Sequence, residues 1–208
     1  MASSTQGAER ADRQIVQPAK EALRATVRAS RAARTAQDRV AADRARTALV
    51  LVALEHWTPQ VVAAYASSGD EPGTLELLDA LMARGATVLL PVLSPSATGP
   101  RRTAEWAVYE GPARLRNGLW GIPEPLSEPL GAGALERAEL VILPGLAGTP
   151  SGGRLGTGGG WYDRALVGTT PPRWMLLNDE ELYESVPLET WDVPVSMIVT
   201  PTRVLRCG

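Results

Sequence analysis

The chain has 208 residues, a formal charge of −2 and 44% hydrophobic residues. That length suits one globular domain with a buried core, and the charge argues against a general nucleic-acid binder, which would carry a clear basic excess. The longest apolar run, Ala48 to Leu54, falls far short of the roughly 20 residues that span a bilayer, and the polar start "MASSTQGAERADRQ" has no apolar signal core.

Residues 1–17 read as a frayed tail, and residues 18–208 as a single α/β domain. Pro18 to Arg34 is expected to be a helix with proline in its first turn, a thin apolar edge (Leu23, Val27) and a basic one (Arg24, Arg28, Arg31). "TAQD" starts a second helix, with Thr35 as N-cap and Asp38 in the first turn, running to about His56. Val61 to Tyr65 predicts a buried strand, "SSGDEPG" a loop, and Thr74 the cap of "LELLDALMAR", a helix stopping at Gly85. "ATVLLPVL" is a second buried strand, so strand, helix and strand make a parallel crossover unit. "EWAVYEG" is a candidate strand, the proline-rich "LWGIPEPLSEPLG" a loop, and "AELVILPG" a third buried strand leading into "GGRLGTGGGWYDRAL". A short helix after Asp163 and strands at "RWMLLN" and "VSMIVT" complete the chain. The expected fold is a three-layer, Rossmann-like open sheet, mostly parallel, with helices on both faces. In such sheets ligands sit beyond the carboxyl ends of the strands, and "GDEPG", "PVLSPS" and the Gly-rich stretch leave the chain there, with "WDVP" in the approach to the last strand.

Few residues are available for nucleophilic or metal chemistry. Cys207 is the only cysteine, so no internal disulfide can form and the default is a cytoplasmic protein. His56 is the only histidine, which rules out a zinc site of several His and Cys ligands. It reads as a half-buried residue at a helix end. Twenty arginines stand against one lysine, Lys20. Compositional bias accounts for the arginines, but an ammonium and a guanidinium are not interchangeable at a phosphate, which draws attention to the lysine.

Six glycines occupy residues 152 to 160. Consecutive glycines allow close backbone approach, and successive N–H groups form an anion-binding concavity to which a following helix N-terminus adds positive charge. No Gly-Lys-Ser/Thr follows, so this is not the usual P-loop. Arg154 would offer a forked donor to phosphate oxygens, Asp163 could hold Mg²⁺ against them, and Trp161 and Tyr162 would wall a pocket. The competing reading is a surface loop with Trp161 and Tyr162 as core anchors.

The run "GGRLGTGGGWYDRAL" resembles the signature of the 5-formyltetrahydrofolate cyclo-ligase family, also called methenyltetrahydrofolate synthetases: Gly-x-Arg-Leu-Gly-x-Gly-x-Gly-aromatic-Tyr-Asp. Every fixed position is met, from Gly152 through Arg154, Leu155, Gly156, Gly158, Gly160, Trp161 and Tyr162 to Asp163. "KEALR", "YASSGDEPGT", "GIPEP" and "VPLETWDVPV" resemble further family segments in the same order and extend the likeness over nearly the whole chain after the tail.

The resemblance implies an enzyme that closes 5-formyltetrahydrofolate to 5,10-methenyltetrahydrofolate and splits ATP to ADP and phosphate. It implies ATP and Mg²⁺ as cofactors, a reduced folate as substrate, and no nucleic-acid or membrane partner; the chain is expected to be a monomer. It implies Lys20 and Arg154 as catalytic groups. It implies an ATP site of Lys20, Arg24, Arg154, Leu155, Gly156, Thr157, Gly158, Gly159, Gly160, Trp161 and Tyr162. Glu71, Trp120 and Tyr162 would bind folate, and Asp163 and Asp192 would be the metal carboxylates. Each has a plainer alternative: Lys20 and Arg24 as a solvated helix face, Glu71 and Asp192 as turn residues, Trp120 as core.

The chain also departs from the family pattern. Gly148 and Thr149 stand where the family usually has Phe and Asp, Trp191 where it has His, Ser196 where it has a further Asp, and Gly159 where it sometimes has Lys. Two further readings therefore stand beside the enzyme: a paralogue that holds nucleotide or folate without closing the ring, and the same fold serving another phosphorylated small molecule.

Overall fold

The structure, a computed structural model, describes residues 2–96, 99–101 and 103–208, with side chains from residue 16 onward. In chain order the elements are α1 (Ala2–Ala33), α2 (Ala36–Ala53), β1 (Val61–Ala63), α3 (Leu75–Ala83), β2 (Thr87–Val92), β3 (Glu105–Val108), β4 (Leu115–Asn117), β5 (Pro123–Pro125), β6 (Leu140–Leu143), β7 (Ala147–Gly148), β8 (Arg154–Leu155), α4 (Trp161–Leu166), β9 (Arg173–Leu176), β10 (Met197–Val199) and β11 (Val204–Arg206).

Seven strands form the main sheet in the order β11-β10-β9-β6-β1-β2-β3. The five central strands are parallel and only the edge strands β3 and β11 are antiparallel to their neighbours. The fold is thus the expected α/β class, with β1, α3 and β2 as the parallel crossover. From β1 the chain runs outward through β2 and β3, then returns to the other side of β1 as β6. The strand order reverses between β1 and β6, so their connections diverge at the carboxyl ends and leave a crevice there.

Strand pleating sends alternate residues to opposite faces. Val62, Val88, Leu90, Leu140, Ile142, Trp174 and Leu176 pack beneath Val50 and Leu54 of the α2 region and Leu77, Leu78 and Leu81 of α3. Ala63, Leu89, Val141, Leu143, Met175 and Ile198 face the other way, under Ala134 and Leu135 of a short 3-10 segment and Leu166 of α4. Each fully buried Leu, Ile or Val contributes roughly 1.5–3 kcal/mol, and β6, buried at all four positions, needs cover on both faces. A third cluster seats Val27 of α1 on Leu146, Ala147, Leu155 and Val186, so α1 lies across the β7–β8 hairpin.

Several local expectations change. Helix α1 begins at Ala2, so Pro18 sits inside it rather than in its first turn, where its missing N–H removes one helical bond. The backbone therefore passes through residues 17 and 18 as helix, while the side chains of the expected tail up to residue 15 lie outside the described residues. Thr35 caps α2 as expected, accepting the Asp38 N–H at 3.1 Å, but α2 ends at Ala53, before His56. Thr74 precedes α3 without capping it; its hydroxyl donates to the Tyr65 carbonyl at 2.8 Å and accepts the Ser67 N–H at 2.9 Å. The proline-rich stretch is not all loop: Pro123–Pro125 pairs with Leu115–Asn117 in a separate two-stranded ribbon, where a missing N–H is tolerated at an edge.

Candidate active site

A cleft of about 560 Å³ opens at the carboxyl ends of β1 and β6. Tyr65 and Ala66 follow β1, Pro144 follows β6, Leu93 follows β2, and Lys20 and Arg24 come from α1. The stretch from Arg154 to Ala165 supplies one wall, and Glu189, Trp191 and Asp192 close the rim.

The Gly-rich segment reaches this position through the β7–β8 hairpin. Gly152 has φ +89°, and a Cβ there would lie 2.3 Å from the Val195 carbonyl oxygen, so only glycine fits the turn. Three guanidinium groups then hold loop carbonyls. Arg24 Nε donates to Gly156 O at 3.0 Å, Arg28 Nη2 to Thr157 O at 3.1 Å, and Arg164 Nη2 to Gly159 O at 3.1 Å. With these three carbonyls turned to guanidinium groups, the loop can offer its amide N–H groups to an anion. The helix that follows has only six residues, too short for the dipole contribution expected of it.

Lys20, Arg24 and Arg154 each already have a carboxylate, whereas Arg164 stacks on the Trp161 ring at 5.1 Å. Lys20 Nζ, 3% exposed, lies 2.7 Å from Glu189 Oε2 and 2.5 Å from Asp192 Oδ2. Arg24 pairs with Glu21 at 2.5 Å, and the buried Arg154 guanidinium pairs with Asp163. Glu189 also accepts from Gln17 Nε2 at 3.1 Å, while its Oε1 is buried without a hydrogen-bond partner. Asp192 accepts the Glu189 N–H at 2.8 Å, and the Asp192 N–H donates back to the Glu189 carbonyl at 3.0 Å, a turn that keeps the two carboxylates together.

Glu71 lines the cleft with its carboxylate held by Ser68 N at 2.9 Å and Ser68 Oγ at 3.3 Å. Burial pushes its pKa above the usual carboxylate range, against the Ser68 N–H and the charge of Arg31, which pull it down. The Tyr162 ring packs against both core clusters and stands edge-on to Trp106 at 6.4 Å. Burial, with the Glu71 charge adding to it, pushes the Tyr162 hydroxyl far up, so it stays a neutral donor.

The structure brings together Lys20, Arg24, Glu71, Arg154 to Gly160, Trp161, Tyr162, Asp163 and Asp192. Trp120 stands apart from this lining: it is 70% exposed, has φ +57°, and meets Trp161 edge-on at 6.3 Å. Among the described residues no group of three His, Cys, Asp or Glu side chains could hold a metal ion by itself. Sequence reasoning did not include Gln17, Tyr65, Trp106, Ile122 or Glu189 in the site. Glu189 had a signal, since "LETWD" places a second carboxylate three residues before Asp192. His56 and Cys207 line a shallow hollow at the opposite, amino-terminal ends of β9 and β10. Among the described residues no helix is long and apolar enough to cross a membrane.

The departures fall unevenly. Thr149 Oγ1 accepts the Gly153 N–H at 2.9 Å and exchanges a 2.9 Å hydrogen bond with Ser151, closing the hairpin turn outside the cleft lining. Ser196 Oγ donates to Arg173 O at 3.1 Å and lines the distant hollow. At Gly148 a Cβ would lie 2.5 Å from Met175 Cε and 2.8 Å from Ile198 Cδ1, so neighbouring core residues fill that space. Trp191 and Gly159 are the departures that line the cleft.

The sequence profile of the 5-formyltetrahydrofolate cyclo-ligase family matches residues 16–201. A 5-formyltetrahydrofolate cyclo-ligase of Mycolicibacterium smegmatis is 38% identical over 146 residues, covering 69% of this chain and 75% of its own length. An Escherichia coli protein of the same name is 34% identical over 148 residues, covering 69% and 79%. The structure of Aquifex aeolicus 5,10-methenyltetrahydrofolate synthetase superposes with a TM-score of 0.74 at 26% identity, covering 90% of this chain and 92% of that one. A 5,10-methenyltetrahydrofolate synthetase from Mycoplasma pneumoniae shares the fold, with a TM-score of 0.67 at 16% identity over 88% and 98% of the two chains. With a profile match over most of its length and a cleft built from the signature residues, the chain belongs to the 5-formyltetrahydrofolate cyclo-ligase family.

Proposed function

We propose that this chain uses ATP to cyclise 5-formyltetrahydrofolate to 5,10-methenyltetrahydrofolate, releasing ADP and phosphate. The observation that carries the reading is the single cleft in which the Gly-rich loop, Lys20, Arg24 and Arg154 face Glu71 and Tyr162. A formamide oxygen is a poor leaving group. Its attack on the γ-phosphorus, with the β–γ bridging bond breaking to release ADP, converts it into a phosphate ester. The neighbouring N10 amine then attacks the formyl carbon, phosphate departs with the oxygen, and the amine proton is lost to solvent or phosphate.

Such a transfer needs positioning and charge neutralisation more than covalent help from the protein. Loop N–H groups would cradle the phosphates, Arg154 would fork onto the transferring group, and Lys20 would follow the charge as a compact ammonium. Glu71 would accept pterin N–H groups, with Tyr162 as an aromatic wall, and Trp120 would reach folate only through the mouth it shares with Trp161. Asp163 and Asp192, with Glu189 beside Lys20, are hard oxygen donors, and the unpartnered Glu189 Oε1 has capacity to spare. Each of these carboxylates could lend an oxygen to a magnesium ion brought by the phosphates, which when bound would neutralise phosphate charge. The reading includes a monomer with one domain over residues 18–208.

The test mixes purified protein with 5-formyltetrahydrofolate, ATP and Mg²⁺ and follows the near-ultraviolet absorbance of the methenyl product. An ATP- and metal-dependent rise is expected. A flat trace with nucleotide or folate binding intact would replace the enzyme with the binding paralogue. Thr149 and Ser196 lend that alternative little weight, because neither lines the cleft.

A further inference from the structure

The motif "GIPEP" contributes a residue whose burial is unusual for its charge. Glu124 is 0% exposed, and its Oε1 accepts two backbone N–H groups, Leu93 at 2.7 Å and Ser94 at 2.8 Å. Those two amides leave the carboxyl end of β2, where no further strand bond awaits them; Leu93 itself lines the cleft. Glu124 sits on β5 and is therefore fixed to the β4–β5 ribbon. At the tip of that ribbon Gly118 N donates to Ile122 O at 2.8 Å, closing a turn that holds Trp120 in its left-handed conformation and presents Ile122 to the cleft. A bulky residue at positive φ persists only where its surroundings over-determine it. The other carboxylate oxygen, Oε2, is buried without a hydrogen bond; the nearest cation, Arg116 Nη2, is 3.7 Å away and half exposed. The backbone around Gly118 is packed onto this carboxylate, and a Cβ there would lie 2.2 Å from Glu124 Cδ.

We propose that Glu124 is a positioning residue, whose buried carboxylate joins the β4–β5 ribbon to the end of β2 and so sets the Ile122 and Trp120 side of the cleft. The inference rests on the cyclo-ligase reading only in assigning that side to folate. Glu124 is not among the residues lining the cleft, and α1 and the Gly-rich loop are held by other contacts, through Arg24, Arg28 and Val27. Loss of the joint should therefore weaken folate binding and leave ATP binding nearly intact.

Three variants of the full chain test this: Glu124→Ala removes the acceptor, Gly118→Ala displaces it sterically, and Glu124→Gln keeps one oxygen for Leu93 and Ser94. For each, Kd is measured separately for 5-formyltetrahydrofolate and for ATP with Mg²⁺, KM and kcat are measured in turnover, and amide exchange is mapped by mass spectrometry. Glu124→Ala and Gly118→Ala should raise the folate Kd and KM about tenfold, with ATP values and kcat within about threefold, while Glu124→Gln stays close to wild type. Exchange should quicken in segments 92–94 and 115–125 and stay unchanged across 154–163. Equal losses for both ligands, folate binding unchanged despite faster exchange, or a Gln variant as impaired as the Ala variant would overturn the proposal. If Glu124→Ala does not fold, Gly118→Ala and Glu124→Gln carry the same comparison. Absence of turnover in the wild type would count against the cyclo-ligase reading, and the binding and exchange measurements would still decide the role of Glu124.

Discussion

Replacing Lys20 by methionine keeps an unbranched apolar stem, one atom shorter, and removes the charge. In the native chain one ammonium, 3% exposed, serves both Glu189 at 2.7 Å and Asp192 at 2.5 Å. Without it, two nearly buried carboxylates whose oxygens shared that ammonium face each other at no more than about 5 Å, where like charges repel by at least roughly 3 kcal/mol at an effective dielectric near 20. Removing one partner of a buried ion pair costs about 3–5 kcal/mol, in agreement. At about 2–4 °C per kcal/mol for a chain of this size, Lys20→Met should melt roughly 6–20 °C below wild type by calorimetry at neutral pH. Lys20→Met/Glu189→Gln should recover most of that loss, because a single carboxylate remains and the like-charge repulsion is gone. Lys20→Arg keeps the charge but replaces a compact ammonium by a planar fork; it should lose less stability and still raise the KM for ATP. A melting temperature for Lys20→Met within about 2 °C of wild type, or additive losses in the double variant, would show that Lys20 is not the counter-ion of this pair. Unchanged kcat and KM in Lys20→Arg would make it a structural residue alone.

Arg154→Ala should reduce kcat for methenyl formation about 10²–10³-fold, the scale for losing one charge-stabilising donor, with a smaller effect on melting; equal rates would remove its phosphate role. Burial raises the pKa of Glu71, so its ionised form is lost, as pH falls, at a higher pH than for an ordinary carboxylate. The KM for folate should therefore rise as pH falls through that window, and Glu71→Gln should abolish the dependence. The folded chain also holds this proton to higher pH than the unfolded chain does, so the stability contribution of Glu71 grows through the same window while affinity falls; a pH-independent KM in the wild type would refute the assignment. Gly152→Ala meets both a positive φ and the Val195 carbonyl, whereas a Cβ at Gly69, also at positive φ, meets nothing within 4 Å. Gly152→Ala should lower the melting temperature clearly more than Gly69→Ala, and equal shifts would show that the close approach is unimportant.

The central sheet was legible because its strands are buried on both faces. "VLLPV" and "LVIL" are continuous apolar runs, the pattern of a parallel sheet, and the helix between the first two strands fixed their crossover. What could not be read was set by long-range contact. Pro123–Pro125 looks like loop by composition and becomes strand because Leu115–Asn117 lies beside it. Thr74 has the identity of a cap, yet its hydroxyl is taken by Tyr65 and Ser67 at the end of β1. In the site, the Gly-rich signature and Lys20 were visible as motif and as compositional exception. Glu189 was marked only by its spacing to Asp192, because its importance comes from meeting a lysine 169 residues away. Trp120 was expected inside the cleft because the family resemblance implied it as a wall of the folate site, but its turn faces it outward onto Trp161.

The departures from the family pattern weigh differently once they are placed. A carboxylate at position 149 would stand where Thr149 already accepts the Gly153 N–H, so the hydroxyl keeps the hairpin turn closed and the loop beyond it in place. The aromatic volume absent at Gly148 is met by Met175, Ile198 and Leu177, whose ends approach to within 3.2 Å of where a Cβ would stand. Loss of Phe there is thus a redistribution of core volume rather than a cavity. Ser196 bonds the backbone of Arg173 at the other end of the strands from the cleft. Trp191 and Gly159 change surfaces that a ligand could touch, and Trp191 does so next to an intact Lys20, Glu189 and Asp192 cluster. Lys20 and Arg154 are both held out of water against carboxylates, Lys20 by Glu189 and Asp192 and Arg154 by Asp163, and both line the cleft. Desolvating charges is costly, and buried charge clusters in a cleft are typical of functional sites, which favours the proposed enzyme over the binding paralogue.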